Sequence, residues 1–146
     1  MVNEIDTNTL GEAFYQISAT SFEQGSPWSK EQFISFFNQE HHIHVIVERD
    51  NEIAGFLLLS FCYEDSEIEL IATSSEYQRS GVGQELMLKG LELLKENEVK
   101  RLLLEVRESN EKAQLFYKKI GFKELGRRKK YYHKPQEDAL IWHLDL

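Results

Sequence analysis

One cysteine, two prolines and only two basic side chains in the first 73 residues are what this 146-residue chain has little of. A single cysteine, Cys62, excludes an internal disulfide and any cysteine-rich zinc site. Free cysteine packs as a small hydrophobe, so Cys62 is expected in the core. The prolines, Pro27 and Pro135, both fall in polar stretches and mark loops. No apolar run approaches the ~20 residues of a membrane span, so no membrane partner is expected. The opening residues, MVNEIDTNTL, are acidic and polar, unlike a signal peptide. A cytoplasmic location is therefore the expectation. There is no repeat, low-complexity tract or Pro/Gly/Ser-rich linker, and residues 1–146 are read as one domain.

Lysine and arginine number 17 against 25 aspartates and glutamates, a formal charge of −8. A net-acidic chain is poorly suited to nucleic-acid backbone, which wants a basic field. The charge is unevenly placed. Residues 1–73 hold 2 basic and 13 acidic side chains, whereas residues 74–146 hold 15 basic and 12 acidic. That division points to two surfaces with different partners, or simply to solubility.

The hydrophobic pattern changes period along the chain. Leu10, Ala13, Phe14 and Ile17 follow helical spacing. Ser29 with Gln32 forms a capping-box signature for a second helix, with Phe33 and Phe36 or Phe37 buried. Strands are read at 42–48, 53–63 and 67–73, joined by turns at Asn51-Glu52 and Asp65-Ser66, as an antiparallel meander. A helix follows from Gly83 to Leu94, and then a near-continuous apolar strand, Arg101 to Val106, read as buried on both faces. Ala113, Phe116, Tyr117 and Ile120 mark a short helix ended by Gly121. Two last strands, near 122–132 and 139–144, flank the polar turn His133-Lys134-Pro135-Gln136. The strand–helix–strand order from Ile68 to Val106 implies one parallel pair. The class is mixed α/β.

The most informative segment is Gln78-Arg79-Ser80-Gly81-Val82-Gly83, set between a strand and a helix. Glycines let backbone approach a ligand, and a helix N-terminus offers free N–H groups and a positive dipole end. The segment is not a Walker A loop, because no Lys-Ser/Thr pair follows. Nor is it a dinucleotide fingerprint, because Leu86 stands where the third glycine belongs. A pyrophosphate cradle and a ligand-free glycine turn both fit it.

Three further blocks accompany it: Ile71-Ala72-Thr73 before it, then Leu104-Glu105-Val106-Arg107-Glu108-Ser109-Asn110, then Leu115-Phe116-Tyr117-Lys118-Lys119-Ile120-Gly121-Phe122. In this order they resemble the GNAT acetyltransferases. With Tyr131-Tyr132 and Glu137-Asp138-Ala139 they are similar, more narrowly, to the RimI-type ribosomal-protein alanine N-acetyltransferases. Pro27-Trp28-Ser29 resembles the family's first half.

The resemblance implies a GNAT fold, a mixed sheet of roughly six or seven strands flanked by about four helices. It implies acetyl-CoA as acetyl donor and no metal. The backbone of Ile71, Ala72 and Thr73 would pair with the pantetheine arm. The N–H groups of Arg79, Ser80, Gly81, Val82, Gly83 and Gln84 would hold the pyrophosphate, and Asn110 would reach the pantetheine. Glu105 would be the general base and Tyr117 the general acid. The acceptor would be a protein N-terminus, a ribosomal protein beginning with alanine, or alternatively a small amine. A non-catalytic acyl-CoA-binding module is a third reading.

The residues themselves leave choices open. A carboxylate in the apolar strand around Glu105 either faces a wet cavity, where partial burial favours its protonated form, or pairs with Arg107. Tyr117 completes a core stripe as well as an "LFY" motif. Glu69 and Glu67 are rival bases on the strand before the loop. His41, His42 and His44 do not share one strand face, which argues against a metal. Arg127-Arg128-Lys129-Lys130 is either a solvated strand face or an attractor of anions. Thr73, Ser75, Phe116 and Lys130 depart from the family pattern. With the short last turn, they touch the acceptor more than the cofactor.

Overall fold

The computed structural model describes residues 6–133 and 135–146. Among these lie four α-helices: α1 (Thr7–Ser21), α2 (Lys30–Phe36), α3 (Val82–Glu96) and α4 (Glu111–Ile120). Six strands accompany them: β1 (His42–Arg49), β2 (Glu52–Cys62), β3 (Asp65–Thr73), β4 (Arg101–Arg107), β5 (Lys123–His133) and β6 (Gln136–Asp145). The strands form one sheet in the order β1-β2-β3-β4-β6-β5. β1/β2, β4/β6 and β5/β6 pair antiparallel, and β3/β4 pair parallel, as the strand–helix–strand order predicts. Of the expected last turn, Lys134 lies outside the described residues. Among those residues, no helix is long and apolar enough to cross a membrane.

The chain divides into two compact units, Met1–Ser60 with Glu69–Leu93, and Phe61–Ile68 with Leu94–Leu146. In the first, Phe14 of α1 stacks on Phe56 of β2 with ring centroids 4.2 Å apart and meets Phe33 of α2 edge-on. Trp28 covers Phe33 at 5.1 Å. Asp6 caps α1 through Thr9 N. Ser29 and Gln32 cap α2 reciprocally, at 3.2 and 2.8 Å, so the capping-box reading holds. Phe33 and Phe36 are its buried pair. At Gly90 of α3 a methyl group would come within 2.6 Å of a terminal methyl of Leu57 in β2, which would have to shift to make room.

Local geometry corrects the expected turns. The β1–β2 reversal uses Asp50 and Asn51, both with positive φ (52° and 65°), a conformation that matches the twist of a two-residue hairpin. Glu52 already belongs to β2. The next reversal falls at Tyr63-Glu64, ahead of the expected Asp65-Ser66, and Tyr63 has φ 55°. Polarity alone pointed to Asp65-Ser66, whereas the hairpin accepts an exposed tyrosine in the left-handed region.

Two other expectations in and around the second unit change. β4 is not buried on both faces: Leu102, Leu104 and Val106 are buried, while Leu103, Glu105 and Arg107 are half-buried. Leu103 helps make the run look apolar, but it shares the partly wet face with Glu105. Cys62, expected in the core, is exposed at the end of β2, where the strand leaves the packed sheet for the turn. The β3/β4 parallel ladder comprises Asp65↔Arg101, Ser66↔Leu102 and Glu67↔Leu103. β3 itself runs on to Thr73.

Candidate active site

In the first unit, β3 delivers the chain through a single 3-10 turn, Ser75–Tyr77, to the Gln78–Gly83 segment and α3. Arg79 (φ 65°) and Gly81 (φ 82°) both adopt left-handed backbone, folding the segment into a tight turn. The Ser80 hydroxyl donates back to the Tyr77 carbonyl. Glu85 N–H donates to the Gly81 carbonyl at 3.0 Å, which makes Gly81 the N-cap of α3. The N–H groups of Val82, Gly83 and Gln84 therefore have no acceptor within the helix.

The three other helices fill this role with a side chain: Asp6 for α1, Ser29 for α2, Asn110 for α4. Gly81 has none to offer, and nothing lies within 4 Å of where its Cβ would stand. The result is an open helix N-terminus fit for an anion.

Charge around the loop is arranged to suit one. Glu85, in the first turn of α3, would oppose an incoming phosphate. Its carboxyl is held below the usual range by Arg49 at 2.9 Å and by Lys89 at 3.3 Å, which balance its charge. Tyr77 ties the loop to the β1–β2 hairpin by donating to Glu52 at 2.9 Å, a bond that lifts its phenol to about 12. Upstream, Ala72 is buried, and Ile71 and Thr73 are half-buried. Glu69, the rival base, accepts a 2.6 Å bond from Ser60. Glu67 is exposed.

In the second unit, Glu105 lies opposite Ile141 of β6, with 23% of its side chain exposed. It pairs with Arg128 at 3.5 Å, not with its neighbour Arg107. Tyr117 of α4 is 7% exposed and packs on Phe116 and Phe122 at 5.3 and 5.4 Å. Burial alone pushes its phenol well above the ordinary tyrosine range, so the hydroxyl keeps its proton. Asn110 caps α4: its Oδ1 accepts from Ala113 N at 3.1 Å.

The structure adds contacts that no sequence spacing shows. Glu137 accepts from the Ser109 hydroxyl at 2.9 Å and backbone N–H at 3.3 Å, with Arg107 Nη1 at 3.9 Å. Arg127 joins Asp138 (3.0 Å) to Glu108 (3.2 Å). The Glu-Asp-Ala tail and the Arg107–Ser109 block thus interlock, which gives their shared presence a physical reason. The basic run is a solvated strand face: Arg127, Arg128, Lys129 and Lys130 are all exposed. Its two arginines are paired with carboxylates, while the β5/β6 register shifts between Arg128 and Tyr132. That bulge brings Tyr132 under the Arg107 guanidinium, 4.1 Å from the ring centroid. Burial, then the charge of Glu105, raises the Tyr132 phenol. His42 and His44 stack on each other at 5.7 Å beside Phe36 and Phe37. Among the described residues, no group of three His, Cys, Asp or Glu is placed to hold a metal.

The fold and the open α3 N-terminus define a class, and comparison names it. Residues 11–122 match the model of the acetyltransferase (GNAT) family. The chain belongs to the GNAT family, which makes it an acetyl-CoA-dependent N-acetyltransferase. A protein of Bacillus subtilis (strain 168), provisionally named [ribosomal protein bS18]-alanine N-acetyltransferase, is 40% identical over 87% of this chain and 83% of its own length. The crystal structure of the ribosomal-protein-S18-alanine N-acetyltransferase from Escherichia coli matches with TM-score 0.86 and 29% identity, covering 97% of this chain and 90% of that one. A structure from Bacillus anthracis str. Ames in complex with acetyl coenzyme A, provisionally called a streptothricin acetyltransferase, matches with TM-score 0.69 and 28% identity over 77% of this chain and 66% of that one.

Proposed function

We propose that this chain acts in the cytoplasm as one 146-residue domain that acetylates the N-terminal amine of a protein, a small-subunit ribosomal protein beginning with alanine. The observation that carries this reading is the 40% identity, over most of both chains, to a relative named for that activity.

The residues divide the work. Val82, Gly83 and Gln84 offer N–H groups to the pyrophosphate, with Arg79, Ser80 and Gly81 shaping the turn around it. Ile71, Ala72 and Thr73 offer backbone groups to the pantetheine arm, and main-chain N–H groups near Ala72 and Thr73 polarise the reacting carbonyl. Asn110 has spent its Oδ1 on capping α4, so its amide nitrogen is the group left to reach the cofactor. Bound acetyl-CoA supplies an acetyl group activated as a thioester. Glu105 takes a proton from the acceptor ammonium, directly or through water, so that nitrogen can bond to the acetyl carbon as the carbon–sulfur bond breaks. Tyr117, fully protonated, donates to the departing thiolate. Arg128 must yield its place at Glu105 to the acceptor's cation.

Labelled acetyl-CoA offered with a panel of peptides and small amines tests the proposal. Preferential labelling of peptides that start with alanine is the expected outcome. Mass spectrometry of cells with and without the chain then identifies the protein that loses its N-terminal acetyl group.

A second reading, a small-molecule amine as acceptor, has one observation in its favour: the Bacillus anthracis likeness is named for an antibiotic acceptor. Labelling of small amines alone would establish it.

A further inference from the structure

Ser21 is the last residue of α1, and the sequence gives it no role. Its hydroxyl lies 2.7 Å from the Thr73 carbonyl, fifty-two positions away, and 2.6 Å from the Ile17 carbonyl in its own helix. A serine hydroxyl has one proton to give. Ile17 is already served by the Thr20 hydroxyl at 3.1 Å. The other side chain near the Thr73 oxygen, the Gln78 amide, stands at 3.5 Å, where a bond is feeble. Ser21 is therefore the strong side-chain donor to Thr73.

The next group along is also held. Ser74 N–H donates to the Ala54 carbonyl of β2 at 2.7 Å. The peptide unit joining Thr73 to Ser74 is thus gripped at its oxygen by α1 and at its nitrogen by β2. This is the point where β3 ends and the chain turns toward the Gln78–Gly83 loop. A peptide fixed at both ends cannot rotate, and the direction in which the strand's last backbone groups point is fixed with it.

We infer that Ser21 is a positioning residue for acetyl-CoA. By clamping the Thr73–Ser74 peptide it presets the end of β3 against the pantetheine arm, without touching the cofactor itself. The inference rests on the reading of Ile71–Thr73 as the pantetheine strand.

Calorimetric titration of Ser21→Ala and Ser21→Thr with two ligands separates the possibilities. One ligand is acetyl-CoA; the other is adenosine 3′-phosphate 5′-diphosphate, which keeps the pyrophosphate and lacks the pantetheine. Loss of one hydrogen bond's worth of preorganisation should weaken acetyl-CoA about fivefold in Ser21→Ala. Binding of that nucleotide should be unchanged, and Ser21→Thr, which keeps the hydroxyl, should restore acetyl-CoA. In turnover the KM for acetyl-CoA should rise more than kcat falls. Equal weakening of both ligands, or no weakening of either, overturns the inference. Should the unaltered protein bind the nucleotide but gain nothing from the pantetheine arm, the strand assignment falls and the inference with it. Failure of the unaltered protein to bind acetyl-CoA at all overturns the functional reading instead.

Discussion

Tyr117 shows how one side chain satisfies two demands. Its ring completes the helical stripe that packs on Phe116 and Phe122, and the same burial raises its phenol and keeps it protonated. A group with a raised value is lost only as pH climbs through that value, so Tyr117 contributes no limb to the rate profile at neutral pH. Tyr117→Phe keeps the ring and removes the proton. It should retain the fold and acetyl-CoA binding while kcat falls about a hundredfold or more, read by stopped thiol release. Glu105→Gln should lower kcat about a hundredfold or more, and Glu69→Gln, whose partner is Ser60, should leave it nearly intact, read by the same thiol release. The reverse result would make Glu69 the base. Glu105 and Tyr117 stand out in the sequence as candidates because they sit in recognisable blocks. Arg128 and Glu137 could not, because ion pairs across strands leave no spacing to read.

At the scale of elements, α3 stands apart through the residue that precedes it. Caps and stripes are local, so the Ser29–Gln32 box and the α1 periodicity are legible in the sequence alone. Hairpin turns were less so, because backbone φ and not polarity chooses them, as Tyr63 shows. The bulge of β5 depends on pairing with β6 and has no local signature. Gly81→Asp tests the open N-terminus directly. Aspartate tolerates left-handed backbone and would place a carboxylate over the free N–H groups. Thermal unfolding should change little, yet acetyl-CoA binding should drop at least tenfold, since one anion then occupies the place of another. Undiminished binding would mean that the pyrophosphate rests elsewhere.

For the whole molecule, the division of charge is more telling than its sum. The two basic residues of the first half are both engaged, Lys30 with Glu12 and Arg49 with Glu85, which leaves most of its carboxylates without a cationic partner from that half. A basic ribosomal segment is the acceptor such a surface favours. The KM for a lysine- and arginine-rich acceptor peptide should therefore rise as salt increases from about 0.05 to about 0.5 M, as screening shortens the reach of exposed charges. A neutral peptide with the same first residue should show little change. A salt-independent KM for the basic peptide would reduce the charge division to a matter of solubility. Composition made this division visible. What it could not show is that the basic half spends much of its own charge internally, with Arg107, Arg127 and Arg128 all beside carboxylates.

The missing cap on α3 has a consequence in time as well as in binding. The amides of Val82, Gly83 and Gln84 have no acceptor inside the helix and should exchange their hydrogens with solvent quickly, while Glu85, bonded to Gly81, is slow. Saturation with acetyl-CoA should slow the first three by many-fold and leave Glu85 nearly as it was. Deuterium uptake at three adjacent amides then becomes a measure of the fraction of time the site stands empty.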